Sequence, residues 1–146
     1  MAAQWAFLET ELDNLLSIFL AKKKVKKLKL SNKPSFKIRI NNLKKAAVVL
    51  QRKHKKDLKE LIEILKDASS LHGDRDDVIH GKWMLKRKGV NLLPEIITVK
   101  SIPAYRYRGI KFTSKKAEEL AVRISRVTLR VNEWRIKYVN NNQNEK

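Results

Sequence analysis

The chain of 146 residues contains no cysteine, only four glycines and three prolines, and no acidic residue between Lys22 and Lys56. Without cysteine there are no disulfides, no thiol catalysis and no cysteine-ligated zinc, and a reducing cytoplasm is the expected location. So little glycine and proline favours long helices over many short strands. No run of about 18 apolar residues occurs, so no membrane-spanning helix is expected. No basic region precedes the first apolar residues, so no signal peptide is expected. A Gly-rich phosphate loop, a His-Glu-x-x-His pair and a Ser-His-Asp order are all missing, and neither a cofactor nor a metal is expected.

What the chain has in excess is positive charge, a formal net of +19. Fifteen lysines and arginines lie between Lys22 and Lys56, and eight between Lys82 and Lys111 against the single acid Glu95. Charge concentrated in this way points to an anionic partner, with nucleic acid ahead of a membrane surface. The residues expected to meet nucleic acid are Lys22, Lys23, Lys24, Lys26, Lys27, Lys82, Arg87, Arg106 and Arg108. In residues 84–112 and at their edges, basic groups interleave with Trp83, Tyr105, Tyr107 and Phe112, an arrangement suited to stacking on single-stranded RNA. The plainer alternative is that these aromatics pack onto the body of the protein.

Apolar periodicity predicts an all-α domain over residues 1–139, a bundle of about four long helices with a short extended or β-hairpin excursion before the last. Trp5, Leu8, Leu12, Leu15, Leu16 and Phe19 mark a first helix over 3–21, and Phe7 and Ile18 widen its apolar surface towards another subunit. Residues 22–34 read as a basic connector anchored loosely by Val25, Leu28 and Leu30. Phe36, Ile40, Leu43, Ala47 and Leu50 mark a second helix over about 35–54, with Arg39 among the basic residues on its other surfaces. His54, set among basic residues, reads as solvated. A third helix is expected to start at Asp57 as N-cap, with Leu58, Leu61, Ile62, Leu65 and Ala68 inside. Gly73 predicts a kink or break there, after which Asp74 caps a new turn. Residues 84–112 carry the excursion, since Ile96-Ile97-Thr98-Val99 is rich in β-branched residues. The last helix starts at Thr113 or Ser114 and places Leu120, Ile124, Val127, Val131, Trp134 and Tyr138 on one face. Residues 140–146 read as a disordered tail.

One stretch, residues 71–83, holds two of the three histidines and an arginine set among acids. Asp76 and His80 are four apart and share a helix face. There the carboxylate can accept a hydrogen bond from one imidazole nitrogen and fix the tautomer. Arg75 lies five residues before His80, about 140° round the helix. A guanidinium near a general acid/base suits phosphate chemistry. The plainer alternative is an Arg75 paired with Asp76 or Asp74, and a histidine closing a helix before Gly81.

The run Arg75-Asp76-Asp77-Val78-Ile79-His80-Gly81 resembles the Arg-x4-His signature of HEPN domains, small helical bundles found in many prokaryotic ribonucleases and toxins. The resemblance extends over the bundle, but its specific part is residues 75–81, with Trp83 following. It implies a homodimer whose two motifs meet in a composite site and which cuts RNA without a metal, leaving 2′,3′-cyclic phosphate ends. Arg75 would stabilise the phosphate, His80 would move the proton, and Asp76 would orient the pair. Aspartate stands at position 76 where the family most often has asparagine, which adds a negative charge beside a phosphate site. An antitoxin protein is a further implied partner. The alternative from another class is a dimeric bundle that binds RNA or DNA without cleaving it.

Overall fold

The structure is a computed structural model. It describes residues 1–31, 35, 36–50, 55–80, 82–88, 91–97, 111–112 and 114–143, and of these residues 55, 77–80, 82–112 and 143 by backbone alone. Among the described residues the helices are α1 (Ala2–Leu20), α2 (Lys23–Lys26), α3 (Phe36–Leu50), α4 (Lys55–His80) and α5 (Ser114–Gln143), forming an all-α bundle. Between α4 and α5 the backbone forms strands β1 (Lys82–Lys88), β2 (Asn91–Ile97) and β3 (Lys111–Phe112). β1 and β2 pair antiparallel from Lys82 opposite Ile97 to Lys88 opposite Asn91, and β3 adds to the far end of β2 at Ile96 and Ile97. The excursion is therefore a hairpin with a third short strand. Pro94, opposite Leu85, lies on the part of β2 that β3 does not reach, as an edge proline should.

α1 forms because its apolar residues recur at three- and four-residue steps, and the structure buries Trp5, Leu8, Leu12, Leu15 and Phe19. Each leucine buried from water contributes about 1.5–3 kcal/mol, so the stripe outweighs the four unsatisfied N–H groups at an end that has no side-chain cap. The basic connector is better anchored than its sequence suggests. It folds a short helix, α2, whose Val25 is fully buried, and Leu28 and Leu30 pack against the core. Asn42 of α3 is a buried polar side chain, and its Nδ2 donates to the Ser31 carbonyl at 2.9 Å. Its Oδ1 accepts from the Ser31 N–H at 3.4 Å, so one amide clasps the returning chain. Ser35 caps α3 by accepting the Ile38 N–H at 3.2 Å.

α4 differs from expectation at both marked positions. Asp57 is not its N-cap. The helix begins at Lys55 and Asp57 lies in its first turn, where the helix dipole favours a carboxylate. Gly73 makes no break: the helix continues through it to His80. A single glycine costs about 1 kcal/mol in a helix, and the buried run Leu58, Leu61, Ile64, Leu65, Ala68 and Leu71 outweighs that cost. Asp74, freed from capping, forms an ion pair with Arg123 of α5 at 3.0 Å.

α5 outruns the expected boundary. Residues 140–143, assigned to a disordered tail from their polarity, are helical, and Asn142 Nδ2 donates to the Tyr138 carbonyl at 2.7 Å. Three acids of α4 face three bases of α5 in reverse order: Asp57 with Lys137, Asp67 with Arg130 and Asp74 with Arg123. The two helices therefore run antiparallel, with Trp134 Nε1 donating to the Asp57 carbonyl at 2.6 Å. Arg39 of α3 reaches across to Glu9 at 3.1 Å and to Asp13 of α1, so it holds two helices together rather than facing solvent with its basic neighbours. His54, Thr113, Arg106, Arg108 and residues 144–146 lie outside the described residues.

Candidate functional site

Two aromatic clusters close the ends of the core. At one end Phe19 lies edge-on to Trp134 and Tyr138, with ring centroids 6.0 and 5.4 Å away. At the other, Trp5 of α1, Phe36 of α3 and His72 of α4 meet. Trp5 and Phe36 are 4.6 Å apart, and the His72 imidazole stacks on Phe36 at 5.1 Å.

On this second cluster sits the arginine of the motif. The Arg75 guanidinium lies over the Trp5 ring at 5.4 Å, a cation–π arrangement. Its Nη1 donates to Asp76 Oδ1 at 2.9 Å. The other Asp76 oxygen, Oδ2, lies 3.2 Å from His72 Nδ1, one helical turn back. Three consecutive functions therefore converge on one turn of α4: a ring that packs, a carboxylate that bridges, and a cation held from two sides. Arg75 keeps 24% of its side chain exposed, while its Nε is buried and without a hydrogen-bond partner among the described residues.

The structure thus brings Arg75 and Asp76 together. The partners it describes for Asp76 are His72 and Arg75, and the expected bond from Asp76 to His80 lies outside the described side chains. His80 is the last residue of α4, on the same unbroken helix as Arg75. His72 is the residue that spacing alone passed over. It stands four before Asp76 just as His80 stands four after, so the repeat His72-x3-Asp76-x3-His80 carried the signal. What the sequence could not supply was the neighbour, Phe36, from another helix.

The basic residues divide. Lys23, Lys24, Lys26 and Lys27 are exposed on and beside α2, while Lys22 is half-buried with its Nζ 6.0 Å from the centre of the Tyr138 ring. That places them at the Phe19 end of the bundle. Trp5 and Phe19 are fourteen residues apart on α1, about 21 Å at 1.5 Å per residue, so α2 and Arg75 lie at opposite ends. Lys82 and Arg87 lie on β1, which follows α4. No family model, curated protein or solved structure matches the chain. Among the described residues no helix is long and apolar enough to cross a membrane.

Proposed function

We propose that the protein is a homodimeric, HEPN-like RNA-binding bundle that cleaves RNA without a metal, with Arg75 and His80 as its catalytic pair. The observation that carries this reading is the hold on Arg75. A guanidinium fixed by Asp76 on one side and Trp5 on the other, yet still partly exposed, needs no reorganisation to meet a phosphate. That is the condition for electrostatic stabilisation of developing charge. His80 takes the proton from a ribose 2′-hydroxyl or gives one to the leaving 5′-oxygen. The 2′-oxygen attacks phosphorus as the bond to the 5′-oxygen breaks, leaving a 2′,3′-cyclic phosphate and a 5′-hydroxyl. General acid–base catalysis of this kind contributes about 10²–10⁴ in rate. A cytoplasmic location, and a protein partner that neutralises the activity as an antitoxin does, belong to the same reading.

One observation favours a second reading. Both Asp76 oxygens are taken up inside the turn, by Arg75 and His72, a closed arrangement that a purely structural motif in a non-catalytic RNA- or DNA-binding bundle also needs. Cleavage of a labelled RNA in the presence of EDTA, compared among the native protein, Arg75→Ala and His80→Ala, decides between them. Cleavage that both substitutions abolish, with RNA still bound and cyclic ends on the products, supports catalysis. Binding with no cleavage by the native protein, or cleavage untouched by either substitution, replaces it with the binding bundle.

A further inference from the structure

The inward face of α5 is accounted for by the core, but its outward face is not. Val122, Leu129 and Ile136 are 48%, 56% and 48% exposed. They recur every seven residues, which makes a straight apolar ridge about 21 Å long at 1.5 Å per residue. Beside the ridge on the α1 side runs an open groove of about 320 Å³, lined by Phe7, Ser125, Leu129 and Asn132 among others. Phe7 stands 66% exposed on its rim, and Gln4 also lines it, its Oε1 buried with no partner among the described residues. On the α4 side the ridge is flanked by Arg126 and Glu133. Every other arginine described on α5 forms an ion pair, with Asp74, Asp67 or Glu11. Arg126 and Glu133 have no ion pair among the described residues.

A repeat of seven is the spacing of a helix that pairs with another helix, and the charges beside it select the partner and the direction. If two copies of α5 cross antiparallel about a two-fold axis at Leu129, residue 122 meets 136 of the other copy, and 126 meets 132–133. Val122 then packs on Ile136, Leu129 on its own copy, and Arg126 reaches Glu133, each contact occurring twice by symmetry. Parallel pairing sets Arg126 beside no acid. We infer that the outward face of α5 is a homodimer seam, antiparallel and centred on Leu129, with Arg126 and Glu133 as its reciprocal ion pairs.

The seam deepens the dimeric part of the proposed function and stands without the cleavage. It also fixes where the two sites fall. Asp74, next to Arg75, is tied to Arg123, and residue 123 lies level with 135 of the partner. The two Arg75 sites are thus offset by about twelve residues, roughly 18 Å along the seam.

The cysteine-free chain makes the test direct. Native protein at tens of micromolar should sediment at about twice 17.1 kDa, and Leu129→Glu should sediment as a folded monomer with an unchanged helical signal. Under mild oxidation Leu129→Cys should crosslink to itself. Val122→Cys should not, but should crosslink when mixed with Ile136→Cys. Arg126→Glu should raise the dimer dissociation constant about tenfold, the effect of losing two exposed ion pairs, and adding Glu133→Arg should restore it. A monomeric native protein, a Val122→Cys that crosslinks to itself, or a double variant that stays weak would overturn the proposal. None of these readings uses RNA, so the seam and the nuclease can fail separately.

Discussion

Asp76 Oδ2 lies 3.2 Å from His72 Nδ1, and Oδ1 of the same carboxylate lies 2.9 Å from Arg75 Nη1. One side chain thus fixes both a ring of the aromatic cluster and the cation proposed to meet phosphate. The side chains of these pairs are a quarter to a third exposed, so each pair is worth no more than roughly 1 kcal/mol. Asp76→Ala should lower unfolding free energy by about 1 kcal/mol in urea titrations. It should reduce cleavage by more than that loss converts to, because Arg75 loses one of its two supports. An activity that falls no further than the folded fraction would show that Asp76 does not position Arg75.

Gly73 is exposed within a continuous helix, and a methyl group built on it meets nothing within 4 Å. Gly73→Ala should therefore stabilise the protein by about 1 kcal/mol, the difference in helix propensity between the two residues. Thermal unfolding followed by circular dichroism reads this directly. A lower midpoint would mean that the site needs the flexibility of a glycine.

Replacing Lys23, Lys24, Lys26 and Lys27 by glutamate should weaken RNA binding and flatten its dependence on salt, since each phosphate neutralised contributes to the slope. Because α2 lies at the far end of the bundle from Arg75, the same variant should raise KM and leave kcat near its native value. A large drop in kcat with unchanged affinity would contradict that separation.

Lys137 gives a prediction in pH. Its hydrogen bond to Asp57, then the charge of Asp57, raise it above the ordinary value of 10.5. A cation held above its unfolded value stabilises the fold below that value, and the stabilisation is lost as pH rises through the folded one. Stability should therefore fall above about pH 10, and Lys137→Met should remove part of that fall while changing little at pH 7. If the two proteins lose stability identically between pH 9 and 12, the pair is idle.

The helical stripes were readable because a helix buries what its own period lines up. Trp5, Leu8, Leu12, Leu15 and Phe19 on α1, and Leu120, Ile124, Val127, Val131, Trp134 and Tyr138 on α5, are buried as their spacing requires, while Leu16 is only partly buried at the edge of its stripe. In α4 the register blurred by two residues, and Ile64 rather than Ile62 is fully buried. What periodicity could not carry was any contact across the sequence. Arg39 looked like one more surface cation until α1 brought Glu9 and Asp13 to it. His72 looked like a bystander until Phe36 stacked on it. Gly73 and the polar residues 140–143 misled for a related reason, since local propensity is a fraction of a kcal/mol per residue and long helices docked on a core override it.

The ladder of Asp57, Asp67 and Asp74 against α5 has an effect beyond its own seam. Each acid cancels a base, Lys137, Arg130 or Arg123, whereas the stretch from Lys22 to Lys56 holds fifteen bases and no acid of its own. The α2–α3 side therefore projects more of its charge into solution than the paired α4–α5 seam does. A polyanion feels that uncancelled field at a distance, and it draws the α2–α3 side forward before contact.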